Sequence, residues 1–396
     1  MMADDWTVLQ KPAIQQFIHE HEHGDPYQLV LKAKKYPDIP VPLVVQQIQA
    51  RQKARKKLPE WYQAENIIFP PLLSLEQCSS EATARYKSQL VHGKTLIDLT
   101  GGAGVDTYYL SQSFEQTQYV EQQKQLTEIA QHNFHRLQAN SIQVQVGDAE
   151  EFLELASSVD LIYIDPARRN DANQRVFRLS DCSPNVIQLL PQLLDKADKV
   201  LIKTSPMLDI YQATQDLGAV ETIHVVAVGN ECKEVLYLLS AHPPENPIIH
   251  AIDIQANAAP LTFTQPEEAD TTVNFSEILS FIYEPNTAIL KAGAFRTVAN
   301  RWNLAKLHPN THLYTSEALV DNFPGRIFEL EAVLPYRKKE VQKYIPGKKA
   351  NITTRNFRDS VATVRKKLGL KEGGDIYLFA TRTLSKDQAI LLAKKL

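Results

Sequence analysis

The chain has 396 residues, of which 43% are hydrophobic and 22% are charged, a composition typical of a globular protein with a sizeable core. No apolar run approaches the roughly 18 residues of a membrane-spanning helix, and the acidic start lacks the apolar stretch of a secretory signal. The three cysteines lie far apart, without the spacing of metal ligands. These features predict a cytoplasmic protein of about two to four domains, with no metal site and no membrane partner.

The first 71 residues are predicted to form a helical domain. Apolar residues recur at helical spacing near its start, and a second helical pattern runs from Leu43 to Lys57. His19, His21 and His23 alternate with glutamates. Three histidines could hold a metal ion, but the end of a solvated helix is the favoured interpretation.

Residues 72–243 alternate between apolar strands and helices. Predicted strands cover residues 95–99, 117–121, 142–146, 159–164, 198–203, 220–228 and 235–241. Predicted helices cover residues 103–112, 122–138, 149–156, 184–195 and 208–216. The alternation predicts an α/β domain with a Rossmann-like, mostly parallel seven-stranded sheet covered by helices. The polar loop GNECKE joins the last two strands and is too short for a helical crossover, so that pair is predicted to be antiparallel.

A glycine-rich turn follows the first strand of this domain. The run LIDLTGGAGVD at 96–106 places Gly101, Gly102 and Gly104 between a buried strand and a helix. Such turns are typical of nucleotide-binding α/β folds, because glycine lets the backbone approach a ligand closely. Asp98 can meet a positively charged ligand group there, which suits S-adenosylmethionine better than a dinucleotide. The third glycine of G-x-G-x-x-G is missing, which also argues against NAD.

Three further acids follow the next three strands. Glu121 lies 23 residues beyond Asp98, close to the spacing at which an acid binds ribose hydroxyls. Asp148, followed by Ala149, can accept the exocyclic amine of adenine, and Asp165 ends the fourth strand. Because the carboxyl ends of parallel strands line one edge of a sheet, four acids and a glycine turn predict a single ligand crevice.

The rest of the chain is predicted to be α+β and to end in a basic segment. A proline-rich linker at 242–247 precedes short strands and a helical stretch near Ala288–Asn303. Residues 331–396 hold 16 Lys and Arg against 6 Asp and Glu, a net charge of +10, whereas the preceding residues carry −13. This division favours a polyanionic partner over a merely solvated surface. The cations that could line one face are Lys338, Lys339, Lys348, Lys349, Arg355 and Arg358. The predicted domains are 1–71, 72–243, 244–325 and 326–396.

The motifs of residues 72–243 resemble those of class I S-adenosylmethionine-dependent methyltransferases. DLTGGAGVD, YVE, GDA and IDPARR follow one another in that family's order. SSEATARYK at 79–87 is similar to the element that several nucleic-acid methyltransferases fold over the methionine end of the cofactor. The middle segment resembles the ferredoxin-like domain, and the basic segment the THUMP-like domain, of one bacterial family. The resemblance implies methylation of RNA (tRNA or rRNA) with S-adenosyl-L-methionine as cofactor.

Together with the strand-end acids, the resemblance assigns roles to residues. The methionine end is expected near the glycine turn and the 79–87 segment, the ribose at Glu121 and the adenine at Asp148. The residues expected to bind the cofactor are Thr83, Tyr86, Asp98, Thr100, Gly101, Gly102, Gly104, Glu121, Asp148 and Ala149. The expected catalytic residues are Asp165, Pro166 and Arg168.

The segment IDPARR leaves two acceptor chemistries to weigh. It lies where amino-methyltransferases carry [DN]-P-P-[YFW] to hold a base amine, and Arg168 could stack on a base or hold a phosphate instead of the aromatic residue. It also resembles the D-P-[AP]-R of uridine C5-methyltransferases, which need a cysteine nucleophile on a following strand. That strand ends in IKTSP at 202–206, so methylation of a base amine is favoured. The cluster of Arg168, Arg169, Arg175 and Arg178 fits a phosphate-facing wall and a surface salt-bridge network equally well.

The favoured mechanism is direct methyl transfer, in which Asp165 holds the base amine or takes up its proton. Two other functions stay open. One is a cofactor-binding protein that binds RNA without catalysis, and the other is a methyltransferase acting on a protein or a small molecule. A product assay on RNA with labelled cofactor distinguishes them.

Overall fold

The computed structural model describes residues 5–168, 178–256 and 258–396, so Arg169 and Arg175 of the predicted arginine cluster lie outside the described residues. The described α-helices are α1 (Pro12–His21), α2 (Pro26–Leu31), α3 (Val41–Lys57), α4 (Pro59–Gln63), α5 (Leu72–Gln77), α6 (Glu81–Leu90), α7 (Val105–Ser111), α8 (Lys124–Arg136), α9 (Ala149–Leu155), α10 (Val186–Lys196), α11 (Ile210–Leu217), α12 (Gln265–Asp270), α13 (Thr287–Ala292), α14 (Thr297–Arg301), α15 (Lys338–Lys343) and α16 (Val361–Leu368). Short 3-10 helices lie at Trp6–Gln10, Ala33–Lys35 and Leu179–Asp181. Among the helices so described, none has the length and apolar character needed to cross a membrane.

The strands alternate with the helices as predicted for the first half of the chain. They are β1 (Gly93–Asp98), β2 (Phe114–Glu121), β3 (Ile142–Val146), β4 (Val159–Ile164), β5 (Ala167–Arg168), β6 (Cys182–Ser183), β7 (Ala197–Thr204), β8 (Val220–Val228), β9 (Glu231–Ser240), β10 (Ile248–Asp253), β11 (Leu261–Phe263), β12 (Phe281–Pro285), β13 (Ala305–His308), β14 (Thr311–Ser316), β15 (Gly325–Pro335), β16 (Asn351–Arg355), β17 (Ile376–Thr381) and β18 (Ala389–Lys395). The predicted α/β architecture is confirmed.

The larger sheet has nine strands in the order β11-β10-β8-β9-β7-β4-β1-β2-β3. The five adjacent strands from β7 to β3 are parallel to one another. In this register Asp98 lies beside Tyr119 on one strand and Tyr163 on the other, and Glu121 lies beside Val146. The parallel pairing therefore brings the four predicted acids to one edge of the sheet.

Two compact units make up the chain, and the first comprises Met1–Val220 and Tyr237–Pro243. One of its cores joins the N-terminal helices to the glycine turn, because Trp61 packs in the same cluster as Tyr108 and Tyr119. Tyr119 meets Phe134 of α8 edge to face, at 5.6 Å between ring centroids. All seven residues of α7 are buried, so the helix that follows the glycine turn is held within this core.

Two residues make the turn between β8 and β9. Gly229 and Asn230 have φ angles of 59° and 64°, the conformation of tight turns between antiparallel strands. Since these two residues complete the turn, β9 begins at Glu231, earlier than predicted. β10 adds to β8 in parallel, and β11 adds to β10 in antiparallel orientation. The sheet therefore has two strands more than the seven predicted.

The second unit comprises Glu221–Leu236 and Pro244–Leu396. It contains a seven-stranded sheet in the order β13-β14-β12-β15-β18-β17-β16. Phe328, Phe379 and Leu391, from the adjacent strands β15, β17 and β18, share one buried cluster. The single helical stretch predicted near Ala288–Asn303 is wrong, because Gly293 adopts φ +79° and ends α13 before α14 begins.

Candidate active site

The glycine turn after β1 needs glycine for two different reasons. A Cβ added at Gly101 would lie 2.1 Å from the Tyr119 ring, so a larger residue collides with the core. Gly104 has φ +78°, and an added Cβ there would lie 2.7 Å from Phe134. Gly102 is also left-handed, with φ +54°, but an added Cβ would meet only the Thr100 carbonyl at 3.8 Å. The space in front of Gly102 is therefore open.

Asp98 supports this turn from inside the protein. Its side chain is fully buried and accepts hydrogen bonds from Thr100 N at 2.9 Å and Thr107 Oγ1 at 2.6 Å. Burial raises the pKa of Asp98 to about 7, although these two hydrogen bonds act in the opposite direction. The predicted contact of Asp98 with a cationic ligand stays a prediction.

Glu121 connects the end of β2 to the glycine turn. Its Oε2 accepts from Gly102 N at 3.0 Å and its Oε1 from Gln123 N at 2.8 Å. Tyr119 donates its hydroxyl to Gly102 O at 2.7 Å. Each carboxylate oxygen can accept a second hydrogen bond, so Glu121 can still bind a hydroxyl of a ligand.

Asp148 caps the helix that follows β3. Its Oδ1 accepts from Glu150 N at 2.8 Å and from Glu151 N at 3.3 Å, the usual arrangement of a helix N-cap. The side chain is exposed, whereas Ala149 is buried. Gly147 N donates to Glu121 O at 3.1 Å, so the β3 end lies beside the β2 end. The predicted adenine contact of Asp148 and Ala149 stays a prediction.

Asp165 lies on the other side of the turn. Its backbone N donates to Thr100 Oγ1 at 2.7 Å, and its carboxylate contacts the ammonium of Lys203. The next residue, Pro166, is buried. Arg168 pairs through its backbone with Cys182. The structure thus brings Thr100 and Asp165 together, and the predicted stacking role of Arg168 stays a prediction.

A group of charged residues near Asp165 has no counterpart among the residues predicted from the sequence. Lys87 of α6 has no exposed side-chain surface and lies 3.1 Å from Asp106 Oδ1. Asp106 Oδ2 accepts from Ser79 Oγ at 2.7 Å and from Tyr163 Oη at 2.8 Å. Burial alone would raise the pKa of Asp106, yet the charges of Lys87 and Lys203, together with the hydrogen bonds from Ser79 and Tyr163, outweigh it and leave that pKa below its ordinary value.

A signal for Lys203 was present in the sequence. Ile164 lies beside Ile202 in the parallel pairing of β4 and β7, so the residues after them, Asp165 and Lys203, lie side by side near the ends of the two strands. A lysine directly after the apolar run Val-Leu-Ile is unusual for a strand buried on both faces. The sequence could therefore have singled out Lys203, whereas its pairing with Asp165 needs the register of the two strands.

The 79–87 segment lies beside the helix that follows the turn. Thr83 is buried, and its hydroxyl donates to Ser80 O at 3.1 Å in the cap of α6. Tyr86 is half-buried on the same helix. The ion pair of Lys87 with Asp106 connects α6 to α7. Cofactor contacts of Thr83 and Tyr86 stay predictions.

The described residues contain no group of three His, Cys, Asp or Glu side chains that could hold a metal ion. In the HEHEH segment, His19 and His23 lie 3.6 and 3.7 Å from Glu22, and Glu22 bonds to Arg51 at 2.7 Å. Glu22 therefore forms an ion pair that connects the end of α1 to Arg51 of α3.

Three stretches of the chain match known domain families. Residues 75–171 match protein-L-isoaspartate (D-aspartate) O-methyltransferase, residues 281–324 a ferredoxin-like domain, and residues 325–395 a THUMP domain-like family. None of the curated proteins matches the sequence.

The chain is also similar to solved structures. A provisionally assigned methyltransferase from Porphyromonas gingivalis W83 is 36% identical, with a TM-score of 0.87, over 100% of both chains. An rRNA methylase from Streptococcus thermophilus is 12% identical over 41% of this chain and 95% of its own, with a TM-score of 0.31. A provisionally assigned Streptococcus mutans methyltransferase in complex with SAH is 13% identical over 40% and 96%, with a TM-score of 0.30. The last two are too distant to bear on this chain. On the full-length match and the C-terminal domain, the chain belongs to the family of class I S-adenosylmethionine-dependent methyltransferases that carry a THUMP-like domain.

Proposed function

We propose that the chain transfers a methyl group from S-adenosylmethionine to an amine nitrogen of a base in structured RNA. One observation carries the proposal: the glycine turn is bonded on both sides to strand-end acids. Gly102 N donates to Glu121, and Thr100 Oγ1 accepts from the backbone of Asp165. A cofactor lying over the turn would have the ribose acid on one side and the acceptor residue on the other.

The residues at the turn fit this cofactor. The open space at Gly102 allows a ligand to approach the backbone, and Glu121 has spare lone pairs for ribose hydroxyls. Thr100 and Gly101–Gly104 would hold the methionine end, and Asp148 with Ala149 the adenine. When bound, S-adenosylmethionine supplies an already activated methyl group.

Asp165 would act on the acceptor. Its side chain keeps 34% of its surface exposed, so the carboxylate is accessible from the sheet edge. There it would accept a hydrogen bond from a base amine N–H and take up the proton that the amine loses when its nitrogen gains the methyl carbon. Arg168 would stack on the base or hold a neighbouring phosphate.

RNA is supported as the partner by the THUMP domain-like match and by the +10 charge of residues 331–396. Of the cations predicted to contact RNA, Arg355 is already paired within the protein, because its guanidinium lies 2.8 Å from the buried carboxylate of Glu284. The four lysines among these predicted cations, Lys338, Lys339, Lys348 and Lys349, are exposed. Lys371 N donates to Lys348 O at 2.7 Å, and the backbones of Lys349 and Lys371 form an isolated β-bridge. Lys348, Lys349 and Lys371 therefore form one group, called the lysine group below. We expect this group to contact phosphates.

The cofactor assignment is tested at Gly102. Gly102→Arg fills the open space and should abolish calorimetric binding of S-adenosylhomocysteine, together with transfer of labelled methyl from S-adenosylmethionine to RNA. Gly102→Ala is the matched control. It carries only the left-handed backbone cost of about 1–2 kcal/mol and should retain binding. Preferential binding of NAD by the unchanged protein would overturn the assignment.

The RNA assignment is tested by a salt series on the full chain. Replacing the lysine group (Lys348, Lys349 and Lys371) and the exposed Lys338 by glutamine should weaken RNA binding. The slope of log Kd against log salt should fall by about 0.7–0.9 for each phosphate that the variant no longer neutralises. Truncation at Gly325 is unsuitable, because it removes β15 and β18 from the second sheet.

The control for the salt series carries four exposed lysines of the first unit, changed in the same way: Lys32, Lys34, Lys35 and Lys94. An equal loss of affinity and slope in both variants would remove residues 331–396 as the RNA contact. Transfer to protein but not to RNA would favour the alternative of a non-nucleic-acid substrate.

A further inference from the structure

We propose that Lys203 is a positioning residue that holds the Asp165 carboxylate toward the acceptor amine. The inference rests on the proposed function, since it concerns the same acceptor site. Lys203 acts through Asp165 and is not assigned a contact with the substrate.

The two side chains meet where two parallel strands end. β4 and β7 are paired up to Ile164 and Ile202, and the carboxylate of Asp165 contacts the ammonium of the next residue on β7. The backbone of Asp165 is fixed by its bond to Thr100 Oγ1. With the backbone fixed there, the remaining freedom of Asp165 is the rotation of its side chain, which the ammonium restrains.

The side chain of Lys203 is itself mostly buried. Its side chain is 11% exposed, whereas that of Asp165 is 34% exposed. The charge of Lys203 also acts on Asp106, which is fixed by Lys87, Ser79 and Tyr163. The ammonium of Lys203 thus contacts an accessible carboxylate, that of Asp165, and acts through its charge on a buried one, that of Asp106.

The charge of Lys203 also stabilises the buried Asp106 carboxylate, but fold stability does not explain the contact with Asp165. An ion pair in which one partner is a third exposed contributes little to stability, because water screens it. The effect on the reaction rate is expected to be much larger, because the carboxylate must receive an amine in one orientation. A displacement of about 1 Å at a reacting group can lower the rate about a hundredfold.

Kinetics of the full chain test the inference. With labelled S-adenosylmethionine and total RNA from a strain lacking the gene, Lys203→Met should lower the single-turnover rate about a hundredfold. The KM for RNA and the affinity for S-adenosylhomocysteine should stay unchanged. Lys203→Arg, which keeps a cationic donor, should recover much of the rate. Lys199→Met, on the same strand but away from its end, is the matched control and should behave as the unchanged protein.

A second measurement does not depend on activity. Crystal structures with S-adenosylhomocysteine should show one Asp165 rotamer in the unchanged protein and in Lys199→Met, and a turned or multiple rotamer in Lys203→Met. Lys203→Gln replaces Lys203→Met if the latter does not fold. An unchanged Asp165 rotamer, or a rate within twofold, would overturn the inference. If the unchanged protein methylates no RNA, the proposed substrate fails, and the rotamer comparison still decides the role of Lys203.

Discussion

Asp165→Ala should lower methyl transfer by about a hundred- to ten-thousandfold, the usual contribution of a positioned acid or base. The affinity for S-adenosylhomocysteine should remain nearly unchanged. The reason is that the bond from Asp165 to Thr100 uses the backbone N–H, which alanine retains. The proposed cofactor contacts lie at the turn and at the β2 and β3 ends. Calorimetry and a single-turnover assay with labelled cofactor measure the two quantities separately.

Asp165→Asn serves as the control for this change. The amide oxygen still accepts a hydrogen bond but cannot take up a proton as the carboxylate does. An intermediate rate in Asp165→Asn would assign part of the effect to orientation and the rest to proton uptake. Full activity in Asp165→Ala would remove Asp165 from the acceptor site. Loss of cofactor affinity in the same variant would instead make it a structural support of the turn.

The parallel sheet could be predicted because its signals are local. β1 and β4 contain short apolar runs, β2 and β3 each lead within a few residues into a helix, and the connection rules leave few strand orders open. The four acids were found because each lies at or near the end of one of these strands. Asp98, Glu121 and Asp165 lie next to or are bonded to the glycine turn, as the crevice prediction requires.

The charged group could not be predicted in the same way, because its members are far apart in sequence. Lys87 and Asp106 meet only when α6 packs against α7, and the Lys203 contact needs the register of β4 and β7. Likewise β18 (AILLAKK) is an apolar run that fits a helix as well as a strand, and its place between β15 and β17 decides which it is.

Lys87→Met should destabilise the first unit by about 3–5 kcal/mol, the cost of leaving one member of a buried ion pair without its partner. The side chain of Lys87 has no exposed surface, and that of Asp106 is 11% exposed, so water cannot replace the lost ammonium. Lys87 also donates to Ser79 Oγ at 3.1 Å. Urea unfolding, followed by the fluorescence of Trp6 and Trp61 of the first unit in a Trp302→Phe background, measures the change in the free energy of unfolding.

Two comparisons separate charge from packing in this variant. Lys124→Met removes a lysine whose side chain is 79% exposed and 3.8 Å from Glu128, so it should change the free energy of unfolding by less than about 0.5 kcal/mol. The double variant Lys87→Met with Asp106→Asn removes the charge but keeps an acceptor for Ser79 and Tyr163, and it should regain much of the stability. If the double variant is as unstable as Lys87→Met alone, the loss comes from packing of the lysine chain, and the ion pair does not hold α6 against the glycine-turn helix.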